Sequence, residues 1–241
     1  CCVYAIFNTT QPILKDKKVR QALQIGTDTS LVRKAISGDA KELYLPFVAG
    51  QIAGTDMPTP PVYDTKRAGA LLDEAGWKSP TFGVRSKDGQ VLKLRVVTIK
   101  DGDFERSLET LAGQWRQLGV ELETIVADPS DQSQDFTQRT LQPRDYDILI
   151  NRLNIGADPD VYAYWHSSQA NTLGRNYSNY SNPSSDDALV GGLSRLESDL
   201  RNAKYKAFAR QWLDDAPAIG LYQANMYYVH SKTSQPISTD E

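Results

Sequence analysis

"LKLRVVTIKDGDFERSLETLAGQWRQLGVELETIV", residues 92–126, decides the fold. Leu92, Leu94 and Val96 alternate with polar neighbours, the period of a strand with one buried face. Leu108, Leu111, Ala112, Trp115 and Leu118 then recur at helical spacing, and Gly119 stops the helix. "VELETIV" follows at once as a second strand. Strand, helix and strand with short joints form a βαβ unit, which implies a parallel pair joined by a right-handed crossover. "KDGQ", residues 87–90, marks a hairpin turn leading into the unit. Beyond it, a weak helix over 130–140 and the strand "YDILINRL", 146–153, extend the alternation to β-α-β-α-β. The expected class is α/β, an open sheet flanked by helices.

Around this centre, "VYAIFN" (3–8) reads as a buried strand. Asp16 caps a helix carrying Val19, Ala22 and Leu23 on one face, and "TSLVRKAIS" is a second helix ending at Gly38. Asp64 caps a third, with Ala68, Leu71, Leu72 and Ala75 inward and Gly76 as its stop. Between Glu42 and Asp64 lies a proline-rich arm whose Leu43, Leu45, Phe47 and Val48 need burial. "PSSDDALVGGLSRL" and "DLRNAKYKAFARQWLDDAP" are helices, the latter turning Ala203, Phe208, Ala209 and Trp212 inward, and "AIGLYQANMYYVHS" is a long strand or hairpin before a polar tail.

The totals exclude several classes. A net charge of −3 lacks the basic excess of a nucleic-acid binder, and no window approaches the roughly 18 apolar residues of a membrane span. The start shows no signal-peptide pattern, although the quoted chain could be a mature form or an excised piece. Cys1 and Cys2 are adjacent, so no internal disulfide framework is expected. Cys1 reads as a residue leading into a strand rather than as a lipid anchor. The Asn-x-Ser/Thr sequons at Asn8, Asn176 and Asn179 are taken as incidental.

Chemistry concentrates in "NIGADPDVYAYWH", residues 154–166, at the carboxyl end of the last parallel strand, where open α/β sheets bind ligands. Asp158 and Asp160 could be a catalytic carboxylate pair, but Pro159 between them suits a helix start, with Asp158 as N-cap and Pro159 at N1. Tyr162 and Trp165 lie three apart on a short helix, and core packing is expected of at least one of these rings. His166 and His230 lie far apart, without the spacing of metal ligands, and Ser167 and Ser168 lack a nucleophile elbow. No glycine-rich phosphate loop is present. The expectation is no enzyme, no metal and no cofactor.

Six segments in order along the chain carry a resemblance: "FNTTQPILKDKKVRQALQIGTD", "YDTKRAGALLDEAGW", "GQWRQLGVELE", "YDILINRLNIGADPDVYAYW", "NYSNYSNPSSDDAL" and "RNAKYKAFARQWLDDAPAIGLYQ". Together they resemble the family 5 extracellular solute-binding proteins, the oligopeptide- and dipeptide-binding receptors of ABC importers. The resemblance implies a periplasmic-binding-protein-like lobe (type II) with an open mixed sheet. It makes residues 1–241 a single domain, the distal C-terminal lobe of a two-lobed receptor whose N-terminal lobe is missing. The implied function is non-catalytic binding of a small peptide or similar solute for an ABC-transporter permease, as an extracytoplasmic monomer, membrane-anchored or periplasmic. The alternative is the ligand-sensing effector domain of a regulator. Implied ligand contacts are Asn151, Arg152, Asn154, Ile155 and Gly156, joined by Tyr177 and Tyr180.

One departure stands out. In peptide-binding members an acid four positions before the proline pairs with the peptide amine, after a Gly-Trp pair. Here those positions hold Ile155 and Asn151-Arg152. An unpaired buried ammonium is costly, so amine recognition at 155 is not expected. Arg152 either meets a carboxylate or phosphate of the ligand, or is an exposed or ion-paired structural residue.

Overall fold

A computed structural model describes residues 2–54, 56–79, 83–131 and 135–225. Among the described residues the strands are β1 (Cys2–Phe7), β2 (Ala40–Lys41), β3 (Ser86–Lys87), β4 (Gln90–Val91), β5 (Lys93–Ile99), β6 (Glu121–Ala127), β7 (Ile148–Leu153) and β8 (Ala218–Ala224). The α-helices among them are α1 (Lys17–Ile25), α2 (Thr29–Ala35), α3 (Thr65–Glu74), α4 (Gly102–Gln117), α5 (Tyr162–Trp165), α6 (Pro183–Ser194) and α7 (Ser198–Asp215).

Six strands form one sheet in the order β2-β8-β1-β7-β5-β6, and β3 and β4 form a separate hairpin. The hairpin turn is Asp88-Gly89, both at positive φ, as a two-residue turn matched to strand twist requires. β5 pairs in parallel with β6 and β7, so the βαβ reading of 92–126 holds. β1 runs antiparallel to β7 and β8, which makes the sheet mixed. Alternation along β1 builds a core on each face. Val3, Ala5 and Phe7 join Ile148, Ile150, Leu94 and Val96 under α1, α3 and α4, with Trp115 fully buried among them. Tyr4 and Ile6 join Leu149, Val97, Trp165, Phe208 and Trp212 on the α7 face. The arm after β2 seals that second core with Leu43, Leu45 and Phe47, and Tyr4 donates its hydroxyl to Leu45 O at 2.8 Å.

Four expectations shift. α2 stops at Ala35, before Gly38, because Ile36 is already extended. Within the weak helix expected over 130–140, the described residues hold a single π turn, Thr137–Leu141, none of whose residues is fully buried. Asp158 is not the cap of α5: that helix begins at Tyr162 after Val161, because the Asp158 and Asp160 side chains each close a local turn instead. β8 ends at Ala224, and the remainder of the expected strand or hairpin, with His230 and Cys1, lies outside the described residues.

Candidate functional site

The parallel strands give the sheet two different rims. At the carboxyl rim, β5, β6 and β7 end, and the β1/β7 and β1/β8 registers bring Cys2 beside Leu153 and Gln223. The start of β1, the end of β8 and the loop after β7 therefore share this rim. At the amino rim, Phe7 pairs with Ile148 and the chain turns into Asn8. About 17 Å of strand separates the two.

Residues 151 and 152 point to opposite faces of β7. Asn151 lines a cleft of about 480 Å³ with Ile99, Phe136, Thr137 and Leu141. Arg152 lies on the other face, exposed, its guanidinium 5.5 Å from the centre of the buried Phe104 ring in the first turn of α4. No ion pair or side-chain hydrogen bond engages Arg152 among the described residues.

The loop from Asn154 to Asp160 is held from three sides. Tyr164 donates its hydroxyl to Asn154 O at 2.9 Å, and Gln51 of the arm reaches Gly156 O at 2.6 Å. Arg201 of α7 meets Asp158 at 2.6 Å, and this contact holds the Asp158 carboxyl below the usual carboxylate range. Ile155 is half-buried against the second core. Gly156 is exposed, and a Cβ there would meet nothing within 4 Å, so intramolecular packing does not require glycine.

Tyr177 and Tyr180 are at the other rim, and the structure does not bring them to Asn151–Gly156. Tyr146 donates its hydroxyl to Tyr177 O at 2.8 Å, and Arg144 stacks on the Tyr177 ring. Tyr180 is buried, its hydroxyl bonded to Asp215 and Ser185, both at 2.7 Å, and burial raises its pKa far above the usual tyrosine range. The segment 176–182 is a polar loop in sequence, tied to this rim by Ser178, which donates to Phe7 O and Pro217 O and accepts from Thr9, and by Asn179, which donates to Asn8.

Of the aromatic run, Trp165 is buried against Tyr4 and Trp212, as expected for a core-facing ring. Tyr162 is half-buried against the same core and stacked on His166, with ring centres 4.1 Å apart. His166 Nδ1 bonds the Ser168 hydroxyl at 2.9 Å, and Asp186 lies 3.9 Å from its other nitrogen. This is a turn network rather than a charge relay: Asp186 already accepts from Ser167 N at 2.9 Å and from the Ser167 hydroxyl. The described residues contain no group of three His, Cys, Asp or Glu able to hold a metal ion, and no helix long and apolar enough to cross a membrane.

Sequence reasoning passed over Phe104 and Gln51. Phe104 reads as an ordinary helix residue, and nothing local says that Arg152, far along the chain, will lie over it. Gln51 sits in an irregular arm whose course depends on the core it covers.

Comparison with known proteins fits this architecture. The oligopeptide-binding protein AppA of Bacillus subtilis is 28% identical over 229 residues, 92% of this chain and 41% of AppA. Its structure in complex with a nonapeptide superposes with a TM-score of 0.81 at 27% identity, over 92% of this chain and 44% of that one. The ABC transporter substrate-binding protein CtaP of Listeria monocytogenes gives 0.75 at 28% identity over 92% and 43%. The fold is also that of NikZ from Campylobacter jejuni, solved with Ni(L-His), at a TM-score of 0.80 and 24% identity over 92% and 44%. The chain thus spans about two fifths of the length of the relatives it matches. Residues 1–174 match the profile of the bacterial extracellular solute-binding proteins, family 5 middle region. With that match covering most of the chain, and with a mixed sheet shared with the structures above, the protein belongs to the family 5 bacterial extracellular solute-binding proteins.

Proposed function

We propose that residues 1–241 form one lobe of a two-lobed extracytoplasmic receptor that binds a small peptide or similar solute and delivers it to an ABC-transporter permease. One observation carries this reading: the start of β1, the end of β8 and the exposed loop after β7 all lie on the carboxyl rim. A second lobe, for which the greater length of AppA and CtaP leaves room, would join at those strand ends and face the loop directly. Ligand between the lobes would then meet Asn151, Arg152 and the backbone of Asn154–Gly156. Tyr177 and Tyr180 fall outside this contact surface.

No step of covalent chemistry is needed. Closure around ligand is a population shift, driven by contacts made only in the closed state. The receptor acts as a monomer, periplasmic or membrane-anchored. The peptide assignment draws on AppA, whose structure holds a nonapeptide, and the fold alone leaves the ligand open, since NikZ holds Ni(L-His). The regulator alternative finds no support among these relatives.

The test is titration calorimetry and thermal melting of the full-length protein against peptide pools of defined length, from two to nine residues. Saturable binding and a rise in Tm are expected; a hundredfold excess of ligand over Kd stabilises by about 2.7 kcal/mol. A flat thermogram and an unmoved Tm with every pool would sink the peptide assignment.

A further inference from the structure

We propose that Arg152 is the specificity residue of the carboxyl rim, receiving an anionic group of the bound solute, a carboxylate in the first instance, so that lobe closure depends on that anion. The inference rests on the receptor reading above and adds the charge of the ligand at this point.

The argument starts from placement. Arg152 is the penultimate residue of β7, a central strand, so its backbone is fixed by pairing with Val3. Its guanidinium lies over Phe104, itself buried and anchored in α4. A cation–π contact at 5.5 Å favours this placement of the guanidinium over the ring, and no side-chain hydrogen bond among the described residues uses its N–H groups, which suit bidentate contact with a carboxylate. A flexible surface lysine would offer neither.

The neighbouring charges are already committed. Asp101 accepts from the N–H groups of Asp103 and Phe104, capping α4. Asp103 is taken by Arg106 at 2.6 Å and by Ser37 N at 2.8 Å. Asp128 is paired with Lys100 at 3.1 Å. Tyr222, opposite Val3 in the next strand, is a buried phenol whose pKa burial pushes up to about 12, so it supplies no negative charge at neutral pH. An exposed cation thus stands at the rim over a buried ring, without an ion-pair partner among the described residues. Covering it with a second lobe would desolvate an unpaired guanidinium and oppose closure. An anion brought by the ligand removes that opposition, which couples binding to closure.

The experiment uses the full-length protein with two probes, tetra-alanine bearing a free C-terminal carboxylate and the same peptide as its C-terminal amide, alongside succinate and inorganic phosphate. Calorimetry is run on wild type, Arg152→Met, which keeps the stem without the charge, and Arg152→Lys. The expected result is that Arg152→Met weakens the free-acid peptide by about tenfold to a hundredfold. The amide binds wild type more weakly than the acid and is not weakened further by the substitution, and lysine restores only part of the loss. Equal wild-type affinity for acid and amide, with both unmoved in Arg152→Met, overturns the inference and leaves the peptide receptor standing. Binding of succinate or phosphate that is lost in Arg152→Met, with no peptide bound, keeps Arg152 as the anion contact and removes the peptide class. No binding of any probe to wild type overturns both. Melting of the unliganded variants within a few degrees of wild type separates lost recognition from lost folding.

Discussion

The two rims of one sheet are built oppositely. At the amino rim polar groups are buried and densely bonded. Arg20 gives its guanidinium to the carbonyls of Leu14, Asp215 and Ala216, Asn8 bonds Arg144 O and Tyr146 O, and Asp215 collects Tyr180, Asn182 and Gln211. At the carboxyl rim Arg152, Asn154, Gly156, Asp158 and Asp160 are all exposed, and the contacts that hold their loop lie at the surface. A buried polar network specifies a conformation only when every member is satisfied, whereas an exposed one leaves groups for a ligand. The difference sets a buried polar network at one end of β7 and, at the other, the exposed groups proposed for recognition.

The contrast breaks most visibly by substitution. Asp215→Ala leaves three buried or half-buried donors without their acceptor and should cost about 3 kcal/mol, read as a fall in the urea midpoint with ligand affinity unchanged. If that variant instead lost ligand binding at full stability, the division between the rims would be wrong. Tyr180→Phe removes one hydroxyl from the same network and should cost about 1 kcal/mol.

Alkaline titration sharpens the same point. Burial raises the pKa of Tyr146 and Tyr180 well above the unfolded value of 10, so the fold favours their neutral forms. Their contribution is fully present below pH 10 and is lost as pH rises past it. For Tyr222 the window runs from 10 to about 12. Urea midpoints should therefore hold steady up to about pH 10 and fall beyond it, and Tyr180→Phe should lessen that fall.

The smallest effect belongs to the carboxyl rim. Asp158, with a lowered pKa, contributes stability above the ordinary carboxylate range that disappears as pH drops through its folded value. Because the Arg201 contact is exposed, Asp158→Ala should cost less than about 1 kcal/mol at neutral pH, with a correspondingly slight change in acid unfolding. A loss as large as that of Asp215→Ala would show that the exposed loop is structural after all.

The α/β class, the parallel pairing of β5 with β6, the caps at Asp16 and Asp64 and the burial of Leu43, Leu45 and Phe47 were legible in the sequence, since each rests on local period, cap chemistry or apolar content. The resemblance that the six segments carry reached the family. Residue types pointed to 154–166, and only the resemblance directed attention to 151–156.

What the chain determined by itself is therefore its alternation of strand and helix, because hydrophobic periodicity and capping are written in neighbouring residues. Only the tertiary structure decided that Tyr177 and Tyr180 sit a strand length away from Arg152, and that Phe104 lies beneath it. Those facts follow from which strands pair and in what register, and pairing joins residues whose separation along the chain carries no local signal.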